Sequence, residues 1–219
     1  MNQIPLDHGL IYTETNLNHF FPEPWNMVTS AFFLIPAFYW LIKLKGFSRE
    51  YVFLSLATWL LLIGCIGSTV YHGLRRWHIF IFMDWVPIAL LCLMASVYFW
   101  MKVLGKWVYG FLALLIFIGM EFAVRKLFTG YDVQLMISLN YGMMVLMILL
   151  PLILLLVKLK GHNAWLVITA LLAFGAALFF RVADRWAILP MGTHFLWHTF
   201  GSIATSLMFV FIYRLYSVK

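Results

Sequence analysis

Five residues in the chain have side chains that could bind a metal ion and carry out hydrolysis beside it. His194 and His198 stand four residues apart, and Ser68 and His72 have the same spacing. A spacing of four places both members of a pair on one face of a helix, one turn apart. Two such imidazoles can bind one ion, and a carboxylate such as Asp84 can accept a proton. Each pair alone is a weak signal, because histidines and serines in helices often make only ordinary hydrogen bonds.

The composition of the chain indicates that these residues lie in membrane helices. Of 219 residues, 64% are hydrophobic and only 11% are charged, whereas soluble domains are roughly half apolar and a quarter charged. The apolar residues form runs of about 20, the length that a helix needs to cross a bilayer. The sequence therefore predicts an all-α, polytopic membrane protein in which residues 1–219 form a single membrane domain.

We expect a seven-helix bundle that follows an extramembrane N-terminal segment, residues 1–26. That segment is polar and contains no Lys or Arg, so no signal peptide is expected. The short connections between apolar runs favour an up-and-down arrangement of neighbouring antiparallel helices. The seven spans are predicted at about 27–45, 51–71, 79–101, 107–124, 134–157, 164–183 and 193–215.

The net charge of +7 does not indicate a nucleic-acid partner. The basic residues occur in pairs at the ends of apolar runs, as with Arg75 and Arg76 or Lys158 and Lys160. This pattern is typical of membrane-flanking anchors rather than of a basic groove for phosphates. The distribution of Lys and Arg between loops places the N-terminus outside and the C-terminus in the cytoplasm. We expect a multi-pass protein of the bacterial inner membrane or of the endoplasmic reticulum or Golgi.

The predicted topology brings the five polar residues to one depth. The second span runs outward and has His72 near its end, whereas the third and seventh spans run inward and begin near Asp84 and His194. At a rise of about 1.5 Å per residue, all five side chains fall roughly 5–15 Å below the outer interface. Unrelated structural residues would not be expected to share a depth, so the topology favours one buried site.

Three neutral imidazoles from His72, His194 and His198 would leave the fourth position of a tetrahedral zinc site open, as in catalytic zinc centres. Asp84 would then accept a proton from the zinc-bound water, and Ser68 would donate a hydrogen bond to the developing oxyanion. The alternative interpretation has separately hydrogen-bonded histidines without an ion, and Asp84 as a structural partner.

Short motifs that occur in order along the chain resemble those of the alkaline ceramidase family. This family is part of a wider seven-transmembrane superfamily that also includes adiponectin-receptor-like and Per1-like lipid-remodelling proteins. The motifs are Glu23-Pro24-Trp25-Asn26, Ser68-Thr69-Val70-Tyr71-His72, Asp84-Trp85-Val86-Pro87, Arg181-Val182-Ala183-Asp184 and His194-Phe195-Leu196-Trp197-His198. The resemblance implies zinc on the three histidines, catalytic roles for Asp84 and Ser68, and hydrolysis of the ceramide amide to sphingosine and a fatty acid.

The same resemblance implies a second metal site, for calcium, before the first span. Glu14, Asn16 and Glu23 match its pattern, and carboxylate and amide oxygens suit Ca²⁺. The chain departs from the pattern at Ile11, which stands where the family has an Asp, and at Tyr12, which stands for a Trp.

Two alternative functions remain open from the sequence. The substrate could be another lipid amide or ester, since the motifs concern the metal site rather than the lipid. The chain could also be a receptor-like protein in which zinc has a structural role, although Asp84 and Ser68 offer catalytic groups that a structural site does not need.

Overall fold

The computed structural model describes residues 4–128 and 133–217, and within these ranges the chain is helical with no strand. The all-α class is therefore confirmed. The helices are α1 (Pro24–Ser30), α2 (Leu34–Lys43), α3 (Val52–Leu74), α4 (His78–Leu104), α5 (Trp107–Leu127), α6 (Val133–Lys158), α7 (Ala164–Ala183) and α8 (His194–Ser217). Two short 3-10 turns, Ala31–Phe33 and Asp184–Trp186, join α1 to α2 and extend α7.

Six helical segments among the described residues are long and apolar enough to cross a membrane, which indicates an integral multi-pass membrane protein. They are Pro24–Lys43, Val52–Leu74, His78–Leu104, Trp107–Leu127, Ala164–Trp186 and His194–Tyr216. Large apolar side chains on them are exposed, such as Ile35 at 71% and Leu172 at 70%, and surfaces of that kind are stable against lipid rather than water. In α6 the described apolar stretch, Val145–Lys158, is shorter than a span. The count of seven spans and the orientation remain predictions.

The first span begins at Pro24, earlier than the sequence predicts, because two local features start a helix there. Proline is preorganised for the first helical position, and Pro24 occupies the start of α1. The carboxylate of Glu14 accepts hydrogen bonds from the backbone amides of Trp25 at 2.5 Å and Asn26 at 2.9 Å. A negative group at a helix N-terminus satisfies amides that have no partner within the helix.

The chain forms two compact units, Met1–Ile88 with Asn163–Lys219, and Ala89–His162. In the first unit α1 packs against α3 and α8, α2 packs against α3, and α7 packs against α8. In the second unit Ser96 donates to the carbonyl of Met147 at 3.1 Å, and Lys158 donates to the carbonyl of Lys102 at 3.1 Å. Every candidate site residue lies in the first unit. A single membrane domain over the whole chain stays a prediction.

Close packing of α3 on the first turns of α4 predicts the effect of a small substitution. A Cβ atom at Gly67 would overlap the side chain and backbone of Met83, whereas one at Gly175 would meet nothing within 4 Å. We expect Gly67→Ala to lower the free energy of unfolding by about 1–3 kcal/mol, the usual effect of overpacking. Gly175→Ala should leave it unchanged or raise it by about 0.5–1 kcal/mol. Thermal unfolding in detergent measures both, and equal melting temperatures would contradict the packing.

Candidate metal centre

Three histidines that the sequence places on two helices come together in the structure. His72 lies in the last turn of α3, and His194 and His198 occupy the first turns of α8. One ring nitrogen from each lies within 4.8 Å of those of the other two. Zn–N bonds of about 2.0–2.1 Å hold zinc ligands about 3.3 Å apart. Modest side-chain rotation would therefore bring all three nitrogens to bonding distance of one ion.

Each of the three imidazoles has a buried nitrogen with no hydrogen-bond partner. The unpaired atoms are Nε2 of His72, Nδ1 of His194 and Nε2 of His198, and all three residues are buried. A buried polar atom without a partner costs about 1–3 kcal/mol, so the ordinary alternative of separately hydrogen-bonded histidines does not account for them. The three lone pairs fit a borderline-soft cation such as Zn²⁺, which prefers nitrogen ligands.

His72 is oriented by a carboxylate from the N-terminal segment. Its Nδ1 lies 2.5 Å from Oε2 of Glu23, so a neutral ring donates there and leaves the Nε2 lone pair without a hydrogen bond. Burial acts to raise the pKa of the Glu23 carboxyl, but the hydrogen bond from His72 and the charge of Arg75 outweigh burial and hold the pKa below its usual value. A carboxylate behind a metal-binding histidine fixes its tautomer and raises its basicity.

His194 is positioned by Asp184, which ends α7 and caps α8. Oδ1 of Asp184 accepts hydrogen bonds from the backbone amides of Thr193 at 2.8 Å and His194 at 2.9 Å, and Oδ2 accepts one from Thr13 at 3.0 Å. The loop reaches this geometry through Gly192, which has φ +68° and would meet the Asp184 carboxylate if it carried a Cβ. Asp184 thus positions His194 through the backbone at the start of α8.

Asp84 and Ser68 lie beside the histidines. Ser68 is buried and its Oγ is 2.9 Å from Oγ of Ser30, so one hydroxyl donates to the other. Asp84, near the start of α4 and half-buried, interacts with the Ser68 hydroxyl and lies within Coulombic range of His72. The structure therefore brings together all five residues that the sequence singles out for metal binding and hydrolysis.

Tyr12 covers the centre from the N-terminal segment. Its ring stacks on that of His194 with 4.0 Å between ring centroids, and lies 5.3 Å from the ring of His72. Burial, reinforced by the charges of Tyr71 and Asp84, raises the pKa of the Tyr12 phenol well above its usual value. The hydroxyl therefore stays protonated, and the ring shields the histidines from one side.

The residues predicted for calcium do not fit that ion as they are placed. Both oxygens of Glu14 accept backbone hydrogen bonds at the start of α1, and Oδ1 of Asn16 accepts one from Asn18 at 3.1 Å. Oε1 of Glu23 accepts from Thr15 and Arg75, and its Oε2 faces His72. Calcium takes six to eight oxygen ligands, whereas these oxygens already have donors.

Arg75 has a different place from the one predicted. The sequence pattern places it at the membrane surface as an anchor, and that prediction is wrong, because Arg75 is 1% exposed. Its Nε donates to Oδ2 of Asp7 at 2.8 Å and its Nη1 donates to Oε1 of Glu23. Two buried carboxylates satisfy this guanidinium, so it has no need to reach water. Arg76, the next residue, is exposed as an anchor would be.

Replacing Asp184 should loosen α8 and the metal centre together. Asp184→Ala removes the acceptor of the Thr193 and His194 amides, and loss of a helix cap costs about 0.5–2 kcal/mol. Asp184→Asn keeps one acceptor oxygen and should cost less. We expect melting temperature and zinc affinity to fall in the order wild type, Asn, Ala. A wild-type zinc affinity in a folded Asp184→Ala protein would show that the cap does not position His194.

Comparisons with known proteins add no identification. The sequence matches no model of a known protein family, and no curated protein matches it significantly.

Proposed function

We propose that this chain is a zinc-dependent membrane lipid amidase, similar to alkaline ceramidases, that hydrolyses the N-acyl amide of ceramide to sphingosine and a fatty acid. The proposal rests on the grouping of His72, His194 and His198, in which one ring nitrogen of each lies within 4.8 Å of those of the other two. Each ring also has a buried nitrogen without a hydrogen-bond partner, and a carboxylate and a hydroxyl lie beside the group. Ceramide is proposed as the substrate because of the ceramidase-like motifs. The apolar helices would place the site in a membrane, where a lipid substrate is available.

The proposed topology has seven spans, with α6 as the fifth, the N-terminus outside and the C-terminus in the cytoplasm. Its support is the length of α6, which runs for 26 residues, and the distribution of Lys and Arg between the loops. In this topology the ends of α3 and the starts of α4 and α8 meet in the outer half of the bilayer, where an acyl amide would reach them from the lipid.

In the proposed mechanism His72, His194 and His198 would hold the zinc ion. A zinc ion held there supplies a Lewis acid that polarises a carbonyl and lowers the pKa of water to about 7. Glu23 orients the imidazole of His72, and Asp184 holds the backbone that carries His194. Tyr12 excludes bulk water from the face of His194, so the electrostatic interactions inside the site are stronger than in solution.

Asp84 and Ser68 carry out the proton transfer and stabilise charge. The Asp84 carboxylate accepts a proton from a water molecule as the water oxygen adds to the amide carbon. It then returns that proton to the amide nitrogen as the C–N bond breaks. The Ser68 hydroxyl donates a hydrogen bond to the carbonyl oxygen while negative charge develops there. The products are a fatty acid and the free amine of sphingosine, and atoms and charge balance with one water consumed.

The test is turnover by the purified, zinc-loaded protein in lipid nanodiscs. The substrates are ceramide, a second N-acyl lipid without a sphingoid base, and an acyl ester, and mass spectrometry follows fatty-acid release. We expect the wild-type protein to release fatty acid from ceramide, and the Asp84→Asn variant to release none. If fatty acid is released only from the other amide or from the ester, that lipid and not ceramide is the substrate. Bound zinc without release from any of them would contradict an enzyme and favour the receptor-like alternative.

A further inference from the structure

Four buried ionisable side chains connect the N-terminal segment to the metal centre in an unbroken chain. Arg75 binds Asp7 with two donors, Nε to Oδ2 at 2.8 Å and Nη2 to Oδ1 at 3.2 Å. The same guanidinium donates through Nη1 to Oε1 of Glu23. The other oxygen of Glu23, Oε2, lies 2.5 Å from Nδ1 of His72. All four residues are at most 1% exposed.

We propose that Arg75 is a positioning residue for the metal centre: its guanidinium is an internal cation that holds Glu23 against His72, so that the centre is organised without calcium. The inference rests on the proposed zinc centre and deepens it. It gives Arg75 and Asp7 a role that neither the spacing of the motifs nor the resemblance assigns to them.

The charges along the chain explain why the guanidinium is needed. Two buried carboxylates and one guanidinium leave a single net negative charge next to His72, which favours a cation bound by the imidazoles. Without Arg75 the two carboxylates would stay buried with no permanent positive partner, and a buried unpaired charge is strongly unfavourable. Glu23 would then turn away from the centre, and His72 would lose the acceptor that fixes its tautomer.

The geometry also shows what takes the place of a second metal ion. Glu23, a residue of the predicted calcium site, contacts His72 through Oε2. The cation on its Oε1 is Arg75, and the hydroxyl of Thr15 also donates there at 2.7 Å. Arginine is well suited to this position, because its planar fork donates to two carboxylates at once and stays charged when buried.

Arg75 is held in place by more than its ion pairs. It ends α3 with φ +50°, a left-handed conformation, and its backbone amide donates to the carbonyl of Tyr71 at 3.0 Å. The guanidinium lies over the Tyr71 ring, 4.7 Å from its centroid. His72, three residues earlier, shares this last turn, so a movement of Arg75 would be transmitted to the ligand through both backbone and carboxylate.

The experiment is a zinc competition titration on the full-length protein in detergent, using a chelator of known affinity, with calcium first removed and then restored. We expect wild-type affinity to be the same with and without calcium. Arg75→Met should bind zinc about 10–100-fold more weakly, the usual effect of losing a group that supports a metal ligand. Asp7→Asn, which keeps the side-chain shape, should show a smaller loss in the same direction.

Two controls separate positioning from general stability. Arg76→Met removes the neighbouring exposed charge and should leave zinc affinity unchanged. Phe211→Leu alters a fully buried residue of α8 and should lower the melting temperature without changing the zinc affinity of the folded protein. If Arg75→Met does not fold, Asp7→Asn carries the comparison.

The outcomes are distinct for the inference and for the proposed function. Wild-type zinc affinity in folded Arg75→Met and Asp7→Asn overturns the inference and leaves the zinc centre in place. A rise in wild-type affinity when calcium is restored overturns it as well. A wild-type protein that binds no zinc overturns both.

Discussion

Replacing His198 with alanine should remove bound zinc and lipid hydrolysis together. The substitution deletes one of three ligand atoms and leaves two imidazoles, too few to hold the ion against competing chelators. Loss of a residue that supports a metal ligand lowers metal affinity about 10–100-fold. We expect loss of a ligand itself to lower the zinc affinity further. Metal analysis of the purified protein gives the zinc content, and fatty-acid release from ceramide gives the activity.

The matched control for this change is His162→Ala, since His162 is exposed and belongs to the other unit of the chain. It should keep both zinc and activity, and His72→Ala and His194→Ala should behave like His198→Ala. Full zinc content together with full activity in His198→Ala would remove the proposed function.

Replacing Asp84 with asparagine should abolish turnover while zinc stays bound. The amide has nearly the size of the carboxylate but cannot accept a proton, and loss of a general base costs about 10²–10⁴-fold in rate. Because Asp84 is not among the three grouped ligands, zinc affinity should change little. Single-turnover rates and zinc content of the same preparation separate the two effects.

Glu121→Gln provides the control for Asp84→Asn, since Glu121 pairs with Arg125 one turn away at 3.8 Å and has no proposed role. It should leave both the rate and the zinc content unchanged. If Asp84→Asn instead lost zinc as completely as His198→Ala, Asp84 would be a ligand and not the proton acceptor. A wild-type rate would remove it from the mechanism.

The grouping of the three histidines could be predicted from the sequence because it depends on helical periodicity. The spacing of His194 and His198 fixes their common face, and the alternating direction of successive spans places His72 at the same level. Both arguments need only regular helices, and the structure brings the three rings within 4.8–5.4 Å of one another, measured between ring centroids.

The residues that support the centre could not be predicted in the same way. Glu23 and His72 are 49 positions apart, and Asp7 and Arg75 are 68 apart. Each of these pairs joins a non-helical segment to the end of a helix, so no periodicity relates them. Glu23 does stand in one of the ceramidase-like motifs, but the order of the motifs does not reveal that its carboxylate contacts His72.

The positions of the helices followed from the apolar runs, but the ends of the helices depended on side chains from other segments. The carboxylate of Glu14 begins α1 ahead of the apolar run, and Asp184 begins α8 from ten positions away. Such caps are contacts between segments that touch only after folding, so hydrophobicity alone does not reveal them.

Anomalous scattering at the zinc absorption edge, from crystals of the purified protein, would locate a zinc ion directly. We expect one strong peak at bonding distance from Nε2 of His72, Nδ1 of His194 and Nε2 of His198. Imidazoles that turn to separate hydrogen-bond partners, with no zinc peak between them, would contradict it.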